Sequence, residues 1–274
     1  MFSPDIFTSV QLALERLLMG YKFPIWKHSG SLPVFNDTHP IHLHMPVNSI
    51  SKPTFNFLSA LKAHNNRTWF NDHKEDYQSA HAEMVAFAES LIAEMNTHDV
   101  LETTSGKKSL FRIYRDIRFS KDKTPYKAHF SGSMVRAGKL RRGGYYFHVE
   151  PGNCFIAGGF WGPNANDLRR IRQEIDLDAA PLRALITAPD FTKAYGSLQG
   201  EQLKTAPRGF AKDHPEVDLL RYKQMIVTRN FSDQEAMKPG FAKKMSDAFQ
   251  PMRPFLDFMS EVLTTDINGV PLDE

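Results

Sequence analysis

Cysteine is nearly absent. Cys154 is the only one among 274 residues, so no intrachain disulfide framework and no cysteine-built metal site can form, and a reducing, cytoplasmic setting is the expectation. Long apolar runs are missing as well. The stretch MFSPDIFTSVQLALERLLMGYKF is interrupted by Asp5 and Glu15 and carries no basic leader, which makes a poor signal peptide and too short a segment to span a membrane. Neither the GxxxxGK[ST] phosphate loop nor the GxGxxG dinucleotide fingerprint occurs, so two common nucleotide cradles are excluded by motif. Charge of one sign is scarce as an excess, at a net +3; partners must therefore be argued from local clusters.

What is present is apolar and aromatic. Hydrophobic residues make up 41% and aromatic ones 12%, with 21 Phe, enough for a dense core in one large domain with an appendage. Residues 1–52 read as an extension in which Phe7, Val10, Leu14, Leu17 and Leu18 mark a short amphipathic helix ahead of a proline-rich arm. Residues 53–265 form the main body and 266–274 a tail. In the body, Phe57, Leu58 and Leu61 begin a short helix that Asn65 and Asn66 break. Asp72 and Glu75 suggest a capping box for a buried helix carrying Tyr77, Met84, Phe87, Leu91 and Met95.

The centre of the chain turns to strands. YYFHVE at 145–150 and CFIAGGFW at 154–161, joined by PGN, predict a hairpin in which Gly158 and Gly159 mark a bulge or a close backbone approach. Leu168, Ile171 and Ile175 fit a helix, and MIVT at 225–228 a strand. Ser232 with Glu235 forms a second capping-box pattern, and Phe241, Met245, Ala248, Phe249, Phe255, Met259 and Leu263 mark C-terminal helices interrupted near Pro251 and Pro254. The fold class is α+β: a single mixed or mainly antiparallel sheet packed against several helices.

One segment does not read as an ordinary solvated face. RIYRDIRFSKDKTPYKAHF, at 112–130, threads Ile113, Ile117, Phe119 and Phe130 between its charges. Ser109 to Phe119 fits either a strand with Phe111, Ile113, Ile117 and Phe119 on one face, or a short helix with Arg112, Arg115 and Asp116 on a common side. Arg112, Arg115 and Arg118, with Lys123 and Lys127, offer forked and point-charge donors suited to carboxylate or phosphate. The bland alternative is an internal network in which Asp116 and Asp122 hold the arginines and clamp neighbouring elements together.

The motif RxxRDxRFxxDKxPY, carried by Arg112, Arg115, Asp116, Arg118, Phe119, Asp122, Lys123, Pro125 and Tyr126, resembles the signature of the DUF2461 family. FLSALKAHNNRTWFNDHKEDY, YYFHVEPGNCFIAGGFW and LKTAPRGFAKDHPEVDLLRYK are similar to the same family, and the resemblance covers roughly 53–265. It implies a compact intracellular domain, mainly bacterial in distribution, with no established reaction, and so assigns no catalytic roles.

Function is read from residues alone. The leading expectation is a cytoplasmic domain binding an anionic or phosphorylated ligand through Arg112, Arg115, Arg118, Lys123 and Lys127. An enzyme is one alternative, with Asp116, His148 or Glu150 transferring a proton beside the arginines; His148 and Glu150 would share a strand face. Nucleic-acid binding and a structural or protein-interaction role are the others. His39, His42 and His44 lie in the proline-rich arm without a paired acid, so no metal ligands are assigned. Cys154 sits in an apolar run and reads as a buried small residue rather than a nucleophile. The cofactor is left unassigned, and no membrane partner is expected.

Overall fold

Helical periodicity on both flanks and strand alternation in the middle sort the chain into helices around one antiparallel sheet in this computed structural model. It describes residues 47–139, 141–266 and 269–272. The expected N-terminal helix and His39, His42 and His44 lie outside the described residues.

The first helix, α1 (Lys52–Ala63), begins at Ser51, whose hydroxyl accepts from the Thr54 amide. Glu83 then closes that end from another helix, accepting from the Ser51 amide at 2.5 Å, the Ser51 hydroxyl at 2.6 Å and the Thr54 hydroxyl at 2.9 Å. A carboxylate belongs at this position because the first turn presents unpaired amides and the positive end of the helix dipole. A short α2 (Arg67–Asp72) follows, capped by Asn66. The long α3 (Lys74–Met95) buries Ala80, Met84, Phe87, Ala88, Leu91, Ile92 and Met95. Its expected capping box is absent: Asp72 ends α2, and His73 precedes α3 without a side-chain cap. The His73 amide is already bonded to the Trp69 carbonyl at 3.0 Å, so the chain passes almost directly from one helix into the next and never extends as an N-cap requires.

After the single turn α4 (Gly106–Ser109), the segment expected as strand or helix is neither. It is an irregular hairpin in which the Arg115 amide bonds the Pro125 carbonyl at 2.9 Å and the Lys127 amide bonds the Ile113 carbonyl at 2.8 Å. Ile113 is buried, whereas Phe119 is 96% exposed, so the single apolar face foreseen for 109–119 does not exist. The physical reason lies in two aspartates. Asp116 accepts from the Arg118 amide and Asp122 from the Thr124 amide, each turning the backbone two residues on and diverting it from a regular ladder.

The sheet is a meander of β1 (Phe130–Val135), β2 (Gly144–Val149), β3 (Cys154–Phe160) and β4 (Met225–Phe231), antiparallel throughout and in chain order. One face carries Phe130, Met134, Tyr145, Phe147, Val149, Cys154, Ile156 and Phe160 into the main apolar cluster. The opposite face carries Ser131, Tyr146, His148 and Phe155, which are also buried but do not join that cluster. β2 is therefore buried on both sides, and its alternation sorts chemistry rather than exposure. The glycine pair in β3 answers a close approach. A Cβ at Gly158 would lie 2.3 Å from the Met252 sulfur, and Gly159, at φ 121°, would place one 2.3 Å from the Met225 carbonyl oxygen.

Between β3 and β4 run α5 (Ala165–Leu177), α6 (Ala180–Thr187), α7 (Pro189–Tyr195) and the turn α8 (Val217–Leu220). The capping box of Ser232 and Glu235 starts α9 (Asp233–Ala236) as its sequence foretold. α10 (Phe241–Phe249), a 3-10 turn at Gln250–Met252 and α11 (Arg253–Thr264) complete the core: α10 packs on α3 and β3, and α11 on α5 and α6. Among the described residues no helix is long and apolar enough to cross a membrane.

Candidate functional site at the edge of the sheet

β1 was not foreseen, and with it His129 was missed. The signal was present as KAHFSGSMV, where His129, Ser131 and Ser133 alternate with Phe130, Gly132 and Met134. Register places Ser131 opposite His148 and Ser133 opposite Tyr146, so His129, immediately before β1, falls on the polar face of the sheet with them.

His148 is wholly enclosed there. Its ring lies between His129, with centroids 4.2 Å apart, and Phe155, stacked at 4.7 Å. Nδ1 meets the Tyr146 hydroxyl at 3.0 Å, and Nε2 meets Glu150 Oε2 at 3.2 Å. An ionised carboxylate can only accept, so a neutral His148 carries its proton on Nε2 and accepts at Nδ1 from Tyr146. Glu150 is held further by Lys62 of α1, at 3.0 Å to Oε1, and by Asn153, at 3.2 Å to Oε2. Although burial pushes the Glu150 carboxyl up, hydrogen bonds from His148, Lys62 and Asn153 outweigh it and hold the group ionised. Burial does the reverse to the imidazoles. It lowers His148, against the pull of Glu150, and drives His129 well below the ordinary histidine value, helped by the charges of His148 and Lys127. Two neutral rings and one carboxylate result.

The basic loop reaches this group through its inner limb. Phe111 lies against Tyr146, Lys127 stands over the Phe111 ring at 5.6 Å, and the positive charges of Lys127 and Arg115 both bear on His129. Asn65 anchors the limb by bonding the carbonyl and the amide of Tyr126 at 2.9 and 3.1 Å, while Phe70 stacks on the Tyr126 ring at 3.9 Å. Asn65, a helix breaker by sequence, thus also makes a tertiary contact, with Tyr126. Arg115 itself is tied to Asp122 and to the Thr124 hydroxyl, and the Thr124 amide, then the Arg115 guanidinium and the Thr124 hydroxyl, hold the Asp122 carboxyl at about 2.

The outer limb holds the rest. Arg118 forks onto Asp116 at 3.0 and 2.8 Å, and Lys123 caps the Ile117 carbonyl at 2.9 Å. Arg112 is exposed and makes no ion pair among the described residues. Thus His148 and Glu150 are brought to one place with His129, and Lys127 lies beside them over Phe111; Arg115 is held within the loop by Asp122 and Thr124, and Arg118, Lys123 and Asp116 occupy its tip. The later basic segment goes elsewhere: Glu216 and Asp218 bind Arg183 of α6, and Lys223 binds Glu201.

Fold and site together define an α+β protein whose antiparallel meander sets a histidine pair and a carboxylate beside a basic loop. Within that class the chain belongs to the DUF2461 family, described as a conserved hypothetical protein, whose family model matches residues 53–258. No curated protein and no solved structure matches the chain.

Proposed function

We propose that the chain binds a small oxyanion, a phosphate or carboxylate group, where the inner limb of the basic loop meets His129. The observation that carries this reading is that Lys127 stands over the Phe111 ring, which lies against Tyr146 of the histidine group, while Glu150, the acid that contacts the pair among the described residues, is already engaged by Lys62, His148 and Asn153. Cationic donors beside neutral imidazoles favour an anionic ligand, and charge-assisted hydrogen bonds from Lys and Arg are the strong ones. Arg112, exposed at the start of the same loop, extends the donor set outward. A reducing, cytoplasmic setting suits the single buried thiol.

Isothermal titration with inorganic phosphate and pyrophosphate at low ionic strength tests the reading. Binding should weaken as salt is raised, and Lys127→Ala should weaken it about tenfold or more, the loss of one charge-assisted bond. Absence of heat with either anion, or unchanged affinity in Lys127→Ala, would sink it.

A further inference from the structure

We propose that His129, His148 and Glu150 form a three-ligand site for a first-row divalent cation of the zinc or ferrous class. This goes beyond the anion reading and does not rest on it: His129 borders both sites, but none of the cationic side chains of the loop is a ligand here.

One ligand atom from each residue lies within 4.8 Å of the other two. A cation bound at about 2.0–2.2 Å to each ligand needs donors roughly 3–3.5 Å apart. His148 Nε2 and Glu150 Oε2 are at that spacing already, at 3.2 Å. His129 completes the set from the half-buried side, and among the described residues its ring makes no hydrogen bond that a metal would have to break. Two imidazoles and one carboxylate suit borderline metals, whereas magnesium and calcium want oxygen ligands throughout. Three protein ligands also leave a coordination position open, the pattern of reactive rather than purely structural sites.

The surroundings are those that ligands require. When a metal takes the Nε2 lone pair, the His148 proton moves to Nδ1, and the Tyr146 hydroxyl 3.0 Å away turns from donor to acceptor. Lys62 sits on Glu150 Oε1 and Asn153 on one side of Oε2, so the Oε2 lone pair that now accepts from His148 is the one that passes to the metal, with Lys62, its side chain 65% exposed, and Asn153 kept as outer partners. Such outer contacts fix ring orientation and tune the ligands. Lys127 and Arg115 oppose a cation, and the ionised Glu150 is the charge set against them.

The test uses full-length protein without an added histidine tag, stripped with EDTA and titrated with Co2+ by visible absorption, then exchanged with Zn2+ and measured by elemental mass spectrometry. The expected result is one equivalent bound and a raised melting temperature. His129→Ala and Glu150→Gln should each abolish uptake with circular dichroism unchanged. Tyr146→Phe, which keeps the ring, should weaken affinity by about 10–100-fold, the usual effect of removing an outer partner. Wild-type protein that takes up neither metal overturns the proposal. So does uptake that persists in His129→Ala or in Glu150→Gln, which would place the ion on histidines elsewhere in the chain.

Discussion

At the residue scale, neighbouring groups of similar type are given different chemistry by their surroundings. Cys154 and His148 lie on adjacent strands but on opposite faces of the sheet. The histidine faces a carboxylate and a phenol; the thiol is buried in the main core and donates to the Glu150 carbonyl at 3.4 Å. Burial pushes the Cys154 thiol up to about 12, and only the thiolate is nucleophilic. The native protein should therefore resist iodoacetamide at neutral pH and take one label once unfolded, read by intact mass. Rapid labelling of the folded chain would show that the thiol is neither buried nor neutral. Arginines diverge in the same way. Arg118, 76% exposed, is spent on Asp116, while Arg115, 21% exposed, braces the limb that carries Lys127 to the histidines. Equal spacing in the motif does not make them equal contributors.

At the element scale, backbone contact decides what the helices tolerate. α4 lies so close to α3 that a Cβ at Gly106 would stand 2.3 Å from the Val85 carbonyl oxygen and 2.8 Å from the Glu89 amide nitrogen. Neither atom can yield without moving the long helix, so Gly106→Ala should destabilise by roughly 1–3 kcal/mol, as overpacking does. A urea midpoint equal to wild type would refute the contact. The elements that sequence revealed were those with local signals: the β2–β3 hairpin, the Ser232 capping box and the C-terminal helices, interrupted at Pro251 with Pro254 in the first turn of α11. β1 was hidden because Ser131, Gly132 and Ser133 dilute its hydrophobic alternation. The loop at 110–127 was misread because side-chain turns at Asp116 and Asp122 override the apolar spacing of Phe111, Ile113, Ile117 and Phe119. Half of the site was legible for the same reason. Tyr146, His148 and Glu150 follow at steps of two along β2 and just past its end, whereas His129 and Lys62 join them through register and packing that no local pattern encodes.

At the scale of the whole molecule, one buried ionic network holds the long helix, the sheet and the last helix in a fixed relation. Arg136, just past β1, and Asp99, just past α3, are both fully enclosed, with Nε 2.7 Å from Oδ2. Tyr145 of β2 donates to the same oxygen at 2.7 Å, and Arg136 continues to Asp257 and Ser260 of α11. Although burial pushes the Asp99 carboxyl up, the Tyr145 and Arg136 hydrogen bonds and the Val100 amide outweigh it and hold the group below its ordinary 3.8. A depressed carboxyl contributes its stability in full above the ordinary value and loses it as the pH falls through the lower folded value. Asp99→Asn leaves the Arg136 charge short of a buried partner and should cost roughly 3–5 kcal/mol at neutral pH. That deficit should shrink in acid, because wild-type Asp99 becomes protonated and loses the same interaction. Urea unfolding of both proteins at neutral pH and below 3.8 measures it. A gap that stays constant into acid would mean that Asp99 is not the ionised hub, and that its side chain acts in the network without its charge.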